Sequence, residues 1–342
     1  MKPKSSLFPA HRAGFFILIA VALIFSACAP QATPTEALPP EPDPTEIQPE
    51  PTLATTEVPE PEFVPQEFVD ALGHEVLVDS PPLRIVSLAP SVTESLFAIG
   101  AGDLVIGRTE YCDFPEEAGG LPTIGGFSAK SISIEAILDL EPDLVIGGST
   151  RQAEVIDAVQ SAGINTFVVQ PGNVEEINQV ILLLGNVTDN QEGADAVVAE
   201  MNNRLNMVVE KVSTIPEDDR LTVFYEVWHE PLMTTTSQTF IGELIQFAGG
   251  INVFAEIEED YPSISAEQII EFDPDVILGP SSHGDQLTVE EISSREGWGN
   301  LVSVQNEAIY IIEGNVISRS GPRIMDALEI IAEFLYPDYF GD

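Results

Sequence analysis

SISIEAILDLEPDLVIGGS at residues 131–149 and SISAEQIIEFDPDVILGPS at residues 263–281 align without a gap. Each copy reads as a helix running into a strand. Ser133 and Ser265 are placed to cap, and Glu135 and Glu267 follow in the first turn, where the helix dipole favours negative charge. Ile137, Leu138 and Leu140 match Ile269, Ile270 and Phe272, and each trio is predicted to face inward. Pro142 and Pro274 stop the helices, and Leu144-Val145-Ile146 and Val276-Ile277-Leu278 read as short buried parallel strands. The copies start too far apart for a solenoid, so they predict two similar α/β lobes with Glu135 and Glu267 at equivalent points.

The flanking sequence continues the alternation. In the first lobe, strands are predicted at 84–88, 104–107 and 166–170 and a helix at 153–162. Ser91-Val92-Thr93-Glu94 reads as a capping box opening a helix that ends at Gly100. In the second lobe, strands at 221–227 and 309–312 accompany helices at 240–248 and 324–335. Residues 194–212 have a helical apolar pattern with few breakers, enough for a rod of about 28 Å crossing between the lobes. The predicted fold is therefore α/β, with two parallel-sheet lobes joined by one long helix, little hinge motion and a ligand cleft between them.

The first residues have a different character. Lys2, Lys4 and Arg12 precede the apolar run at 14–25, which is short for a membrane span and has the layout of an export signal. Phe25-Ser26-Ala27-Cys28 resembles a bacterial lipoprotein cleavage box, which makes 1–27 the signal peptide and Cys28 the lipidated first residue of the mature chain. Acyl chains on Cys28 would hold the protein at the outer side of the cell membrane. From Ala29 to Gln66 the chain is rich in Pro, Glu and Thr and has no basic residue, so 28–66 is expected to be a self-repelling linker with a reach on the order of 100 Å. The N-terminal lobe then occupies 67–187, the inter-lobe helix 188–214 and the C-terminal lobe 215–342.

A formal charge of -43, with 13 Lys and Arg against 56 Asp and Glu, excludes a nucleic-acid partner. Two cysteines, Cys28 and Cys112, are too few for a disulfide framework. No phosphate-binding loop, nucleophile elbow, HExxH or CxxC is present, and His74, His229 and His283 stand apart from one another. Neither an enzyme nor a resident cofactor or metal is expected, and Cys112 is expected to be a small buried hydrophobe.

The ordered motifs now on the page resemble one family: the helical-backbone substrate-binding proteins of ATP-driven metal-chelate importers. They are RIVSLAPS at 84–91 with Thr93-Glu94, YCDFP at 111–115, both repeat copies, Trp228 with Pro231, GGIN at 249–252 and RSGPR at 319–323. Within it the chain is most similar to the cobalamin-binding proteins, through 111–115 and the flanks of the two glutamates. The resemblance implies that Glu135 and Glu267 dock onto basic residues of the two permease subunits, whose ATPase supplies the energy. It carries ligand contact onto Tyr111, Phe127, Trp228, Tyr261, Asn315 and Arg319, with Phe127 and Tyr261 standing where the cobalamin-type pattern has Trp. The expected ligand is a corrinoid, a flat macrocycle with amide-bearing edges that wants aromatic walls and a few hydrogen bonders. A trianionic siderophore complex would need more positive charge than Arg108 and Arg319, the two cations in candidate cleft loops. An iron-siderophore or haem-binding lipoprotein is the alternative, an extracytoplasmic enzyme or an adhesive surface protein the more distant ones, and the chain is expected to act as a monomer.

Overall fold

The computed structural model describes residues 63–281 and 287–341, so the signal region, Cys28, most of the linker and His283 lie outside it. Around the first repeat copy a four-stranded parallel sheet forms in the order Val105–Arg108, Ile85–Ser87, Leu144–Gly147, Asn165–Val168. Around the second, Ile309–Glu313, Val276–Ser281, Thr222–His229 and Ile251–Asn252 are parallel neighbours. This sheet also carries a feature absent from the sequence expectation, the strand Leu232–Thr234, which folds back antiparallel on Thr222–His229. A ribbon of Gln66–Val69 and Glu75–Val78 precedes the first lobe, with Phe68 edge-on to Phe167 at 5.1 Å.

Alternation along the strands sends side chains to two different cores. Ile85, Leu144, Ile146, Val223, Tyr225, Val276 and Leu278 face one central cluster. Their neighbours Val86 and Val145 belong to a second cluster on the outer face of the first sheet, and Phe224 and Ile277 to a third on the outer face of the other. The glutamate helices, Ile134–Asp139 and Ala266–Phe272, cover these outer faces through Ile137 and Ile269, both fully buried. Ser133 accepts from Ala136 N–H at 3.1 Å, and Ser265 and Gln268 form a reciprocal capping box.

Only one residue of each predicted inward trio is fully buried. Leu138, Ile270 and Phe272 are 38%, 42% and 50% exposed, because helices of 6 and 7 residues can set only about one turn against a sheet. The capping box predicted at Ser91 is also absent. The helix there runs Pro90–Ala98 with no side-chain cap, because Pro at its first position starts it one residue before Ser91 and Glu94 is bonded elsewhere.

The inter-lobe helix, Gln191–Val212, starts before the apolar pattern at 194–212, falls within the expected 188–214, and does not stand alone. It packs against Val174–Val187 on one side and Ile324–Leu335 and Phe240–Phe247 on the other. Residues from these helices join inward-facing residues of both sheets in the central cluster. Each fully buried Leu or Ile there contributes about 1.5 to 3 kcal/mol, so parting the lobes would expose many such groups at once. The described residues accordingly form one compact unit.

Candidate functional site

The strands of the first parallel sheet and Ile309–Glu313 of the second deliver their carboxyl ends to one region, where loops rather than ladder bonds decide what lines the surface. A cavity of about 490 Å³ opens there. Its first-lobe wall is Ala89-Pro90-Ser91 after the strand Ile85–Ser87, Tyr111 after Val105–Arg108, Phe127, Ser128 and Ser131 before the glutamate helix, and Gly148 after Leu144–Gly147. Gly314, Ser318, Arg319 and Ser320, following Ile309–Glu313, close it from the second lobe. A second cavity of about 380 Å³ is lined by Ser149, Thr150, Arg151 and Gln170 from one lobe and Gln238, Thr239, Asp260 and Tyr261 from the other. Phe127 and Ser320 belong to both, so the two are halves of one cleft.

The predicted contact residues do not all meet in it. Tyr111, Phe127 and Arg319 line the first half, and Phe127 and Tyr261 the second. Burial pushes the Tyr261 phenol up, opposed by its hydrogen bond with Thr239. Trp228 lines neither half: it sits on the hairpin with its indole N–H donating to Glu230 O at 2.8 Å. Asn315 lines neither half either, but its Oδ1 accepts from Arg319 Nη2 at 2.8 Å and so helps to orient the guanidinium.

Arg319 is buried, and its charge is already answered. Its Nη1 donates to Glu94 Oε1 at 2.8 Å and Asp113 Oδ1 at 2.7 Å, and its Nη2 to Tyr111 O at 3.0 Å. Glu94 in turn accepts from Arg323 through both oxygens, each at 2.8 Å, while Arg323 lies over the Phe114 ring at 4.1 Å. Partial burial pushes the Asp113 carboxyl up, but the hydrogen bond and charge of Arg319 outweigh this and hold it below its usual range. The result is a bolt between the lobes that joins three sequence motifs, Glu94 behind RIVSLAPS, Asp113 of YCDFP, and Arg319 and Arg323 of RSGPR. Arg108, the other expected cleft cation, donates to the carbonyls of Ala118, Thr109 and Gly119 and lines neither half.

Five serines of the first half and the polar residues of the second were not predicted, because exposed Ser, Thr and Gln in loops carry no sequence pattern of their own. Cys112 is fully buried, with Thr109 Oγ1 at 3.2 Å, and burial raises its thiol pKa, which suits packing better than reactivity. Among the described residues no cluster of three His, Cys, Asp or Glu is arranged to hold a metal ion, and no helix is long and apolar enough to cross a membrane. Glu135 and Glu267 are exposed at the first turns of the two covering helices. Hydrogen bonds from its own backbone N–H and from Ser265 hold the Glu267 carboxyl below its usual range.

Comparison with known proteins adds sequence-wide likeness to this geometry. The periplasmic binding protein family matches residues 85–316. An uncharacterised ABC transporter substrate-binding lipoprotein of Bacillus subtilis, YvrC, is 30% identical over 82% of this chain and 88% of its own length. The vitamin B12-binding protein of Vibrio parahaemolyticus is 28% identical over 75% of this chain and 90% of its own. The crystal structure of the periplasmic vitamin B12-binding protein of Vibrio cholerae superposes with a TM-score of 0.63 at 27% identity, over 75% of this chain and 98% of that one. With its two parallel-sheet lobes and a cleft at strand ends, the chain belongs to the periplasmic binding protein family, as a substrate-binding protein of an ABC transporter rather than an enzyme.

Proposed function

We propose that this protein captures a corrinoid outside the cytoplasm, held to the membrane by lipid on Cys28, and delivers it to a permease of two subunits driven by an ATPase. One observation carries the choice of ligand: the buried cation of the cleft, Arg319, is neutralised by Glu94 and Asp113, while Tyr111, Phe127 and Tyr261 supply aromatic wall. A neutral macrocycle loses little on entering such a site, whereas a trianionic chelate would meet one cation unpaired among the described residues, Arg151, offset by Asp260 in the same half of the cleft, and keep most of its charge unanswered. The likeness to proteins named for vitamin B12 supports the same ligand.

Delivery is assigned to Glu135 and Glu267. They occupy matching points on matching helices, and each is followed three residues later by a half-exposed aliphatic side chain, Leu138 or Ile270. Residues three apart share a helix face, so each lobe offers a carboxylate beside an apolar spot. A partner with paired basic residues would meet both at once.

The ligand is tested by titration calorimetry of the detergent-solubilised full chain with cyanocobalamin and, separately, a ferric hydroxamate. One-to-one binding of cyanocobalamin is expected, weakened by about 1 to 3 kcal/mol in Tyr111→Ala or Phe127→Ala. Heat with the ferric chelate and none with cobalamin would move the substrate to iron.

A further inference from the structure

The second half of the cleft has a polarity that aromatic walls do not explain. Arg151, on the turn Thr150–Gln152, and Gln170, two residues past the strand Asn165–Val168, line it from the first lobe. Gln238, before the helix Phe240–Phe247, and Asp260 line it from the second. Gln170 Oε1 is occupied by Thr150, accepting from its backbone N–H at 2.8 Å and its hydroxyl at 3.1 Å, which leaves the amide N–H groups of Gln170 for the cleft. Gln238 is the reverse, since its amide nitrogen donates to Ser237 Oγ at 3.3 Å and its Oε1 remains. Arg151 and Asp260 are paired neither with each other nor with another charge among the described residues, unlike the Arg319 guanidinium of the first half.

One wall therefore offers donors and the facing wall acceptors, and their formal charges cancel. A carboxylate would suit Arg151 and be repelled by Asp260; an ammonium would do the opposite. A primary carboxamide satisfies both, accepting through its oxygen and donating through its nitrogen from one carbon. We infer that this half of the cleft reads the carboxamide edge of the ligand, Arg151 and Gln170 holding amide oxygens and Asp260 and Gln238 holding amide N–H groups. The inference rests on the corrinoid reading and deepens it, because the corrin ring carries such amides around its rim.

The test titrates the full chain and its Arg151→Ala and Asp260→Ala variants with cyanocobalamin and with cobalamin monocarboxylates, each having one peripheral amide hydrolysed. Both side chains are exposed, so the fold is expected to survive either change. Each variant is expected to bind cyanocobalamin about tenfold more weakly, the scale of a charge-assisted hydrogen bond. At least one monocarboxylate is expected to bind the unmodified protein poorly and the Asp260→Ala variant better, as the repulsion is removed. Cyanocobalamin binding that neither substitution changes, or Asp260→Ala acting alike on amide and carboxylate forms, would overturn the inference and leave the corrinoid reading standing. No cobalamin binding by the unmodified protein would overturn both.

Discussion

The Glu94 carboxylate lies 3% exposed on a helix otherwise free of charge and accepts from two guanidinium groups that are more than two hundred residues away in sequence. A carboxylate in that position is costly without its partners, and the partners are costly without it. Glu94→Gln keeps the shape, leaves Arg323 without its carboxylate and Arg319 with only the half-exposed Asp113, and is expected to cost about 3 kcal/mol in urea unfolding. An unchanged midpoint would show that the bolt is dispensable. Residue types alone pointed to Ser91-Val92-Thr93-Glu94 as a cap because that chemistry is local. The true role of Glu94 was hidden because its partners come from the other lobe.

The two repeat copies are equivalent beyond the features read from sequence. Glu141 and Asp273 both take left-handed φ values, 48° and 45°, immediately before the prolines. The next acidic residue clamps the first strand of its own lobe: Asp143 accepts from the N–H groups of Leu83 and Arg84 at 2.7 and 3.0 Å, and Asp275 from the N–H and hydroxyl of Thr222 at 2.9 and 2.7 Å. Each helix-Pro-Asp-strand unit thus sets the register of the sheet it enters. Asp275→Ala leaves a strand N–H without its partner and is expected to destabilise the protein by about 2 kcal/mol in thermal unfolding, with Asp143→Ala acting the same way in the other lobe. Loss in one lobe only would show that the copies have diverged in role. Caps, stops and strands were legible here because they depend on neighbours within a turn. Which apolar residues face in was not, since Leu138 and Ile270 have the hydropathy of core residues and lie at the surface.

At the scale of the whole molecule the central cluster fuses the two lobes, so the distance between the covering helices is held by packing rather than by a hinge. A rigid spacing is what a docking surface with one glutamate per lobe requires. The Glu135→Arg, Glu267→Arg double variant is expected to abolish uptake of radiolabelled ligand in cells that depend on this importer while leaving its affinity unchanged in calorimetry. Lost affinity would mean that the glutamates shape the cleft instead. Two lobes, the longer strands of their parallel sheets, the crossing helix, the strong negative charge and the family were present in the sequence, because periodicity, capping and turn chemistry act over a few residues and a repeat reports itself; the short strands Gln66–Val69, Glu75–Val78, Leu232–Thr234 and Ile251–Asn252 were not. The tertiary structure alone decided that Arg319 is neutralised, that Arg108 and Trp228 do not line the cleft, and that Arg151 and Gln170 face Gln238 and Asp260. Those facts depend on side chains meeting across loops from distant parts of the chain, where spacing in sequence carries no measure of distance in space.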